Sequence, residues 1–268
     1  MKKFTLPQKE EIKETLIKAK NLFLSPTVTL CILLVMSIIL TNISENYISA
    51  SKNRLVPIYS VERDDKCIAL TIDAAWGNQY TEEIINILDK YNVRITFFTV
   101  DFWAKEYPDD INALKLHGHE IGNHSATHPD MAKLSKEKIE KELLTTWETQ
   151  VKYAGSSAVR LFRAPYGSYN NTLIETCSEY GFQCIQWDVD SIDWKEGAKP
   201  QDVINRVLTK TKPGSIILMH NNSAVITQVL PVVLEKLIAE GYTFVPVSQL
   251  IYKGDYTIDA NGVQHRSN

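Results

Sequence analysis

Cysteine is scarce, with four residues in a chain of 268. Cys31 lies in an apolar N-terminal run, which leaves Cys67, Cys177 and Cys184, an odd number that builds no disulfide framework. Cys177 and Cys184 have two readings, a bridge across a helix-to-strand turn or buried free thiols, the ordinary state of cysteine in a core. An excess of one charge is also lacking. The formal net charge is −3, so no basic field points to nucleic acid as a partner. Internal repeats and low-complexity tracts are absent. What remains is a chain with 44% hydrophobic residues, enough for one sizeable core.

Long hydrophobic runs are missing too, with one exception. Residues 27–43 (TVTLCILLVMSIILTNI) are uncharged and mostly apolar, about the length that spans a bilayer core. Six lysines precede this run and few basic residues follow it closely. The positive-inside rule then predicts a single-pass cell-membrane protein, with residues 1–26 in the cytoplasm and the remaining chain extracytoplasmic. An uncleaved signal anchor, rather than a cleaved signal peptide, is expected because Ile48-Ser49-Ala50 matches a cleavage site poorly. The lipid bilayer is thus an expected partner. Residues 44–64, polar and unpatterned, read as a stem.

From Cys67 onward, strand-like and helix-like segments alternate. Short apolar runs at 67–72, 95–100, 120–123, 159–162, 182–187, 215–219 and 243–247 read as seven strands. Amphipathic stretches between them read as helices, with Thr81 and Ser135 as N-caps and Gly181 and Gly241 as C-terminal stops. Such alternation implies an α/β fold with a parallel sheet. The expected fold class is a distorted seven-stranded (β/α) barrel over residues 65–252, preceded by one transmembrane helix and followed by a tail at 253–268.

Six of these runs end in polar, chemistry-bearing residues: Asp73; Thr99-Val100-Asp101; Asn123-His124-Ser125-Ala126-Thr127-His128; Arg163-Ala164-Pro165-Tyr166; Asp188 to Trp194; and His220. In a β/α barrel the C-terminal strand ends converge on one face, where residues far apart in sequence meet. His124 and His128, spaced i and i+4, suit joint coordination of one divalent metal. Asp73 paired with Arg163 would be held ionised, as a general base requires. Asp190 or Asp193 beside His220 would raise its pKa for use as a general acid. Trp187, Trp194 and Tyr166 supply apolar walls or sugar-stacking faces.

Taken together, Thr71-Ile72-Asp73, His124-Ser-Ala-Thr-His128, Arg163-Ala-Pro-Tyr166, Asp190-Ser-Ile-Asp193-Trp194 and Leu218-Met219-His220 resemble the five ordered motifs of the polysaccharide deacetylase family, carbohydrate esterase family 4. The nearest flavour is the membrane-anchored, sporulation-associated type. The resemblance implies Asp73 as the base acting on a metal-bound water and His124 and His128 as ligands of a divalent metal, Zn or Co. It implies Arg163 as the group orienting the base, and the Tyr166 backbone N–H as oxyanion donor. It further implies His220 as the acid tuned by Asp193, with Trp194 and Asp190 toward substrate. The implied partner is cell-wall glycan, deacetylated at GlcNAc or MurNAc. One position departs from the pattern. The family carries a second, metal-binding carboxylate after the first, and this chain has Ala74. Asp73 itself, a water, or Asn78 or Gln79 would have to fill that place. The alternative is a degenerate relative that binds glycan or scaffolds wall assembly without turnover.

Overall fold

The computed structural model describes residues 13–14, 17–18, 26–52 and 54–267. The chain divides into two units, Met1–Arg54 and Leu55–Asn268. The first holds helix α1 (Pro26–Lys52); most of the segment expected to be cytoplasmic lies outside the described residues. The expected membrane span at 27–43 is not upheld. Among the described residues, no helix is long and apolar enough to cross a membrane. The apolar part of α1 gives way at Thr41-Asn42 to a half carrying Glu45, Asn46 and Lys52. From Pro26 to Thr41 it spans about 24 Å at 1.5 Å per residue, short of a hydrocarbon core of about 30 Å. The single-pass placement and the bilayer as partner go with it.

The second unit runs in the order β1 (Ser60–Val61), β2 (Cys67–Ala74), α2 (Thr81–Lys90), β3 (Thr96–Thr99), α3 (Asp101–Glu106), α4 (Pro108–Leu116), β4 (Glu120–Asn123), α5 (Lys136–Ala154), β5 (Ala158–Phe162) and α6 (Asn171–Glu179). It continues with β6 (Gln183–Cys184), β7 (Val189–Asp190), α7 (Pro200–Lys210), β8 (Ile216–His220), α8 (Ile226–Ala239), β9 (Thr243–Phe244), α9 (Val247–Leu250), β10 (Tyr256–Ile258) and β11 (Val263–Arg266). The main sheet has strand order β6-β5-β4-β3-β2-β8-β7, with β9 added beside β2. Every pairing in it is parallel. The sheet curls into a half-barrel.

Two expectations change. The strand expected at 182–187 narrows to β6, which pairs with β5, and a further strand beyond it, β7, pairs with β8 on the opposite edge of the sheet. Ile58 explains the break. Its N–H donates to the Cys184 carbonyl at 2.9 Å, and its own carbonyl accepts from Gln186 N–H at 2.7 Å. The chain thus leaves β5 to pair with this segment before reaching β8. The main sheet therefore counts eight strands rather than seven. The second change is a small sheet, β1-β11-β10, in segments that patterning left as stem and tail. Strands of two to four residues are too short to show alternation.

Period-two alternation along β2 sorts the unit into layers. Ile68, Leu70, Ile72 and Ala74 pack in one apolar cluster with Ile84, Ile85 and Leu88 of α2 and with Val229, Leu230, Val233, Leu234 and Leu237 of α8. Ala69 belongs to a different cluster, inside the curl. Thr71 and Asp73 share that inner face. The expected caps at Thr81 and Ser135 make no capping hydrogen bond, whereas Asn170 accepts one from Leu173 N–H at 2.9 Å.

Gly214 joins the two sheets: its N–H donates to the Cys67 carbonyl at 2.8 Å, and its carbonyl accepts from Val61 N–H at 2.9 Å. Its φ is +78°, and a Cβ there would stand 1.6 Å from the Val61 oxygen, which is backbone and has nowhere to go. Gly214→Ala is expected to cost more than about 1 kcal/mol. A thermal melt would show this as a midpoint lowered by at least about 2–4 °C.

Candidate active site

Register brings the first pair together. Asp73 at the end of β2 is the partner of His220 at the end of β8, so both side chains leave the sheet on the same face. Asp73 is 6% exposed. Its Oδ1 accepts from Arg163 Nη1 at 2.7 Å, and its Oδ2 lies 3.5 Å from His124 Nε2. Arg163, fully buried just past β5, also donates to Thr71 Oγ1 at 2.7 Å and to the Gln186 carbonyl at 3.1 Å. Its guanidinium lies 4.1 Å from the centre of the Phe98 ring, a cation–π contact. Gly122 makes room for that ring, because a Cβ at 122 would stand 2.7 Å from it.

The His124–His128 loop follows β4. The Arg163 carbonyl can only accept, so His124 Nδ1, 2.8 Å away, carries the hydrogen. The lone pair of Nε2 then faces Asp73. The rings of His124 and His128 are 5.0 Å apart. Ser125 and His128 hold φ of +71° and +57°, left-handed values that side chains tolerate only where surroundings impose them. Glu142 of α5 imposes them in part. One of its oxygens accepts from the N–H groups of Ala126 and Thr127, both at 2.8 Å, and the other from Thr127 Oγ1 at 2.7 Å. The Ser125 hydroxyl accepts from His128 N–H at 3.0 Å.

Among the described residues His220 has a single carboxylate partner. Its Nδ1–H donates to Asp193 Oδ1 at 2.8 Å, and its backbone N–H donates to Asp193 Oδ2 at 3.0 Å. Of the two carboxylates open in sequence, Asp193 is the one in contact. Asp190 accepts from Ile192 N–H at 2.8 Å instead, though it still lines the cleft.

Electrostatics separate the groups. Burial pushes the Asp73 carboxyl up, but Arg163, then His124 and His220, outweigh it and hold the acid below its usual value. Burial lowers His124. Burial and then the His124 charge push His128 down to about 4. Burial lowers His220 as well, yet the hydrogen bond and charge of Asp193, with Asp73 and Asp190 beyond, carry it above the ordinary histidine value. The result is one carboxyl and two imidazoles held below their ordinary values and one imidazole held above it, on one floor.

An open cleft of about 870 Å³ stands over this floor, and Asp73, His124, His128, Tyr166, Asp190, Asp193, Trp194 and His220 all line it. Two carboxylates from the expected clusters, Asp101 and Asp188, do not line it. Asp101 accepts from Thr149 Oγ1 and binds Lys105, while Asp188 accepts from Ser215 Oγ and Ile216 N–H. Trp187 lines the cleft but also packs on the inner core. Trp76, Glu142 and Thr71 carry site contacts to which sequence reasoning gave no role. Glu142 lies 15 and 16 residues beyond the N–H groups it accepts from. That spacing leaves no local signal, since the contact exists only once α5 packs on β4.

The donor set does not complete a metal centre. Ala74 is fully buried on the helix side of β2. Asn78 donates to Asp110 at 2.8 Å and is absent from the cleft lining, as is Gln79. Among the described residues no group of three or more His, Cys, Asp or Glu can hold a metal ion. Two imidazoles alone fall short of the three protein ligands usual in catalytic zinc sites, so the expected pair His124–His128 meets without forming a full site.

The polysaccharide deacetylase profile matches residues 60–185. A peptidoglycan-N-acetylglucosamine deacetylase of Bacillus cereus is 32% identical over 200 residues, covering 72% of this chain and 92% of that protein. This chain belongs to the polysaccharide deacetylase family. Members generally depend on a metal. An uncharacterized protein of Bacillus subtilis (strain 168), YlxY, is 34% identical over 73% of this chain, which spans 60% of the length of YlxY. A solved structure from Bacillus anthracis, BA3943, described as a family pseudoenzyme, is 35% identical with a TM-score of 0.69, covering 73% of this chain and 68% of that one. A mutant of BA3943 with restored enzymatic activity is similar to the same degree, at 36% identity and a TM-score of 0.69, covering 73% of this chain and 71% of that one.

Glu142→Ala strips the acceptor from two backbone N–H groups and is expected to cost about 1–3 kcal/mol in a urea titration. His128, near 4 when folded and about 6.5 when unfolded, binds its proton more readily in the unfolded chain. Stability should therefore be full above about pH 6.5 and decline as pH falls toward 4. His128→Gln is expected to flatten part of that decline in melts recorded across the range.

Proposed function

We propose that this chain takes N-acetylated cell-wall glycan, at GlcNAc or MurNAc, into the cleft and hydrolyses its N-acetyl group during wall remodelling. One observation carries the reading: Asp73 and His220 stand at matched register on adjacent strands, and each is bound to a partner of opposite charge. In this reading Asp73, oriented by Arg163, takes the proton from an attacking water. The new C–O bond produces an oxyanion, toward which the Tyr166 backbone N–H is the assigned donor. His220, kept protonated by Asp193, gives its proton to the nitrogen as the C–N bond breaks, and acetate and a free amine leave. Asp190 and Trp194 lie toward the sugar.

A second reading, glycan binding without turnover, is favoured by one specific feature. Ala74 brings no carboxylate, and the remaining donors are two imidazoles. The two readings separate in one experiment: acetate release from N-acetylated peptidoglycan, with and without added Zn²⁺ or Co²⁺, alongside a binding isotherm. Hydrolysis predicts release that falls about 100-fold or more in both Asp73→Asn and His220→Ala. Release untouched by either substitution would overturn the assigned roles. Binding without release by the native chain would establish the second reading.

A further inference from the structure

Trp76 belongs to neither the base nor the acid, and it departs from ordinary tryptophan behaviour. It is 53% exposed at the cleft wall, although large aromatic side chains are highly buried on average. Its position is nonetheless fixed. The carbonyl of the next residue, Gly77, accepts from Trp103 Nε1 and from Asn221 Nδ2, each at 2.7 Å. Those donors come from α3 and from the end of β8, so the loop is tied to two separate parts of the sheet's rim. Gly77 itself has φ of +61°, a left-handed turn that favours glycine. The indole meets the His128 ring edge-on, with centroids 4.7 Å apart and planes at 68°, and leans on Phe102 at 6.5 Å. His128 in turn meets Tyr166 at 4.8 Å. Trp76, His128 and Tyr166 therefore form a continuous aromatic wall on the His128 side of the cleft. Trp194, 59% exposed, follows the Asp193 that binds His220.

A half-exposed indole that is already immobilised loses little further entropy when a ligand covers it. Exposed aromatic surface gathered at one cleft marks a binding surface. The fitting ligand has a flat apolar face and a polar rim, because one side of the indole is apolar and its surroundings are wet. We infer that Trp76 is a sugar-stacking platform that holds a pyranose ring next to the one over Asp73 and His220, so that the cleft prefers an oligosaccharide to a single sugar. The inference rests on the glycan reading and adds a position outside the five motifs.

The test uses the full chain, tetra-N-acetylchitotetraose and N-acetylglucosamine, with affinity measured by calorimetry. Trp76→Ala is expected to weaken the tetramer by about tenfold or more, and Trp76→Phe to keep most of the affinity. Tetramer affinity within about twofold of native in Trp76→Ala would overturn the inference while leaving the glycan reading intact. A native chain that binds neither sugar would overturn both. Hydroxyl-radical footprinting of the native chain supplies a measurement free of any substitution. Saturating tetramer is expected to protect the Trp76 indole from oxidation, and an equally oxidised Trp76 would overturn the platform.

Discussion

A buried ion pair between Asp73 and Arg163 underlies the whole cleft floor. Two charges removed from water are costly unless each remaining polar group finds a partner. Here Thr71 and the Gln186 carbonyl take further guanidinium hydrogens and Phe98 lies against its face, while Nε finds no partner among the described residues. Each of these supports comes from a different strand or from the crossing between β6 and β7. Gly122 lacks a Cβ so that Phe98 fits, Phe98 backs Arg163, and Arg163 holds Asp73. The His124 imidazole is set by the same residue, through the Arg163 carbonyl.

The second pair, His220 with Asp193, has an opposite electrostatic character. Arg163 stabilises a negative charge on Asp73, while Asp193 stabilises a positive one on His220. Environments that drive two neighbouring titratable groups in opposite directions are what acid–base chemistry requires. Beside them the two imidazoles are driven toward neutrality and, among the described residues, lack a third donor. The cleft thus sets a carboxyl held low and an imidazole held high beside two imidazoles held low. That asymmetry is why binding and turnover are separable questions for this protein.

Much of this is legible in the sequence. The alternation of apolar runs with amphipathic stretches exposes the parallel α/β fold, because a doubly covered sheet demands strands apolar on both faces. Polar clusters at Asp73, His124–His128, Arg163 and His220 stand out because they interrupt those runs at their ends. Other features leave no trace. Residues 182–187 look like one strand, yet pairing with Ile58 ends β6 at Cys184, and the next strand, β7, lies beyond them on the opposite sheet edge. The apolar stretch in 27–43 reads as a membrane span because it carries no charge, yet no helix among the described residues is long and apolar enough to cross one. Glu142 and Trp76 sit in segments that look like an ordinary solvated helix and an ordinary loop.

The sequence by itself determined which chemical groups were available and in what order, including the methyl group at 74 in place of a carboxylate. Covalent identity needs no folding. Tertiary structure alone decided which groups meet. Strand register set Asp73 beside His220 and alternation sent Ala74 to the opposite face. Long-range hydrogen bonds chose Asp193 over Asp190 and retired Asp101 and Asp188 to structural duty. The reason is geometric: a contact across parallel strands depends on pairing between segments about 90 to 150 residues apart, and no local pattern encodes that distance.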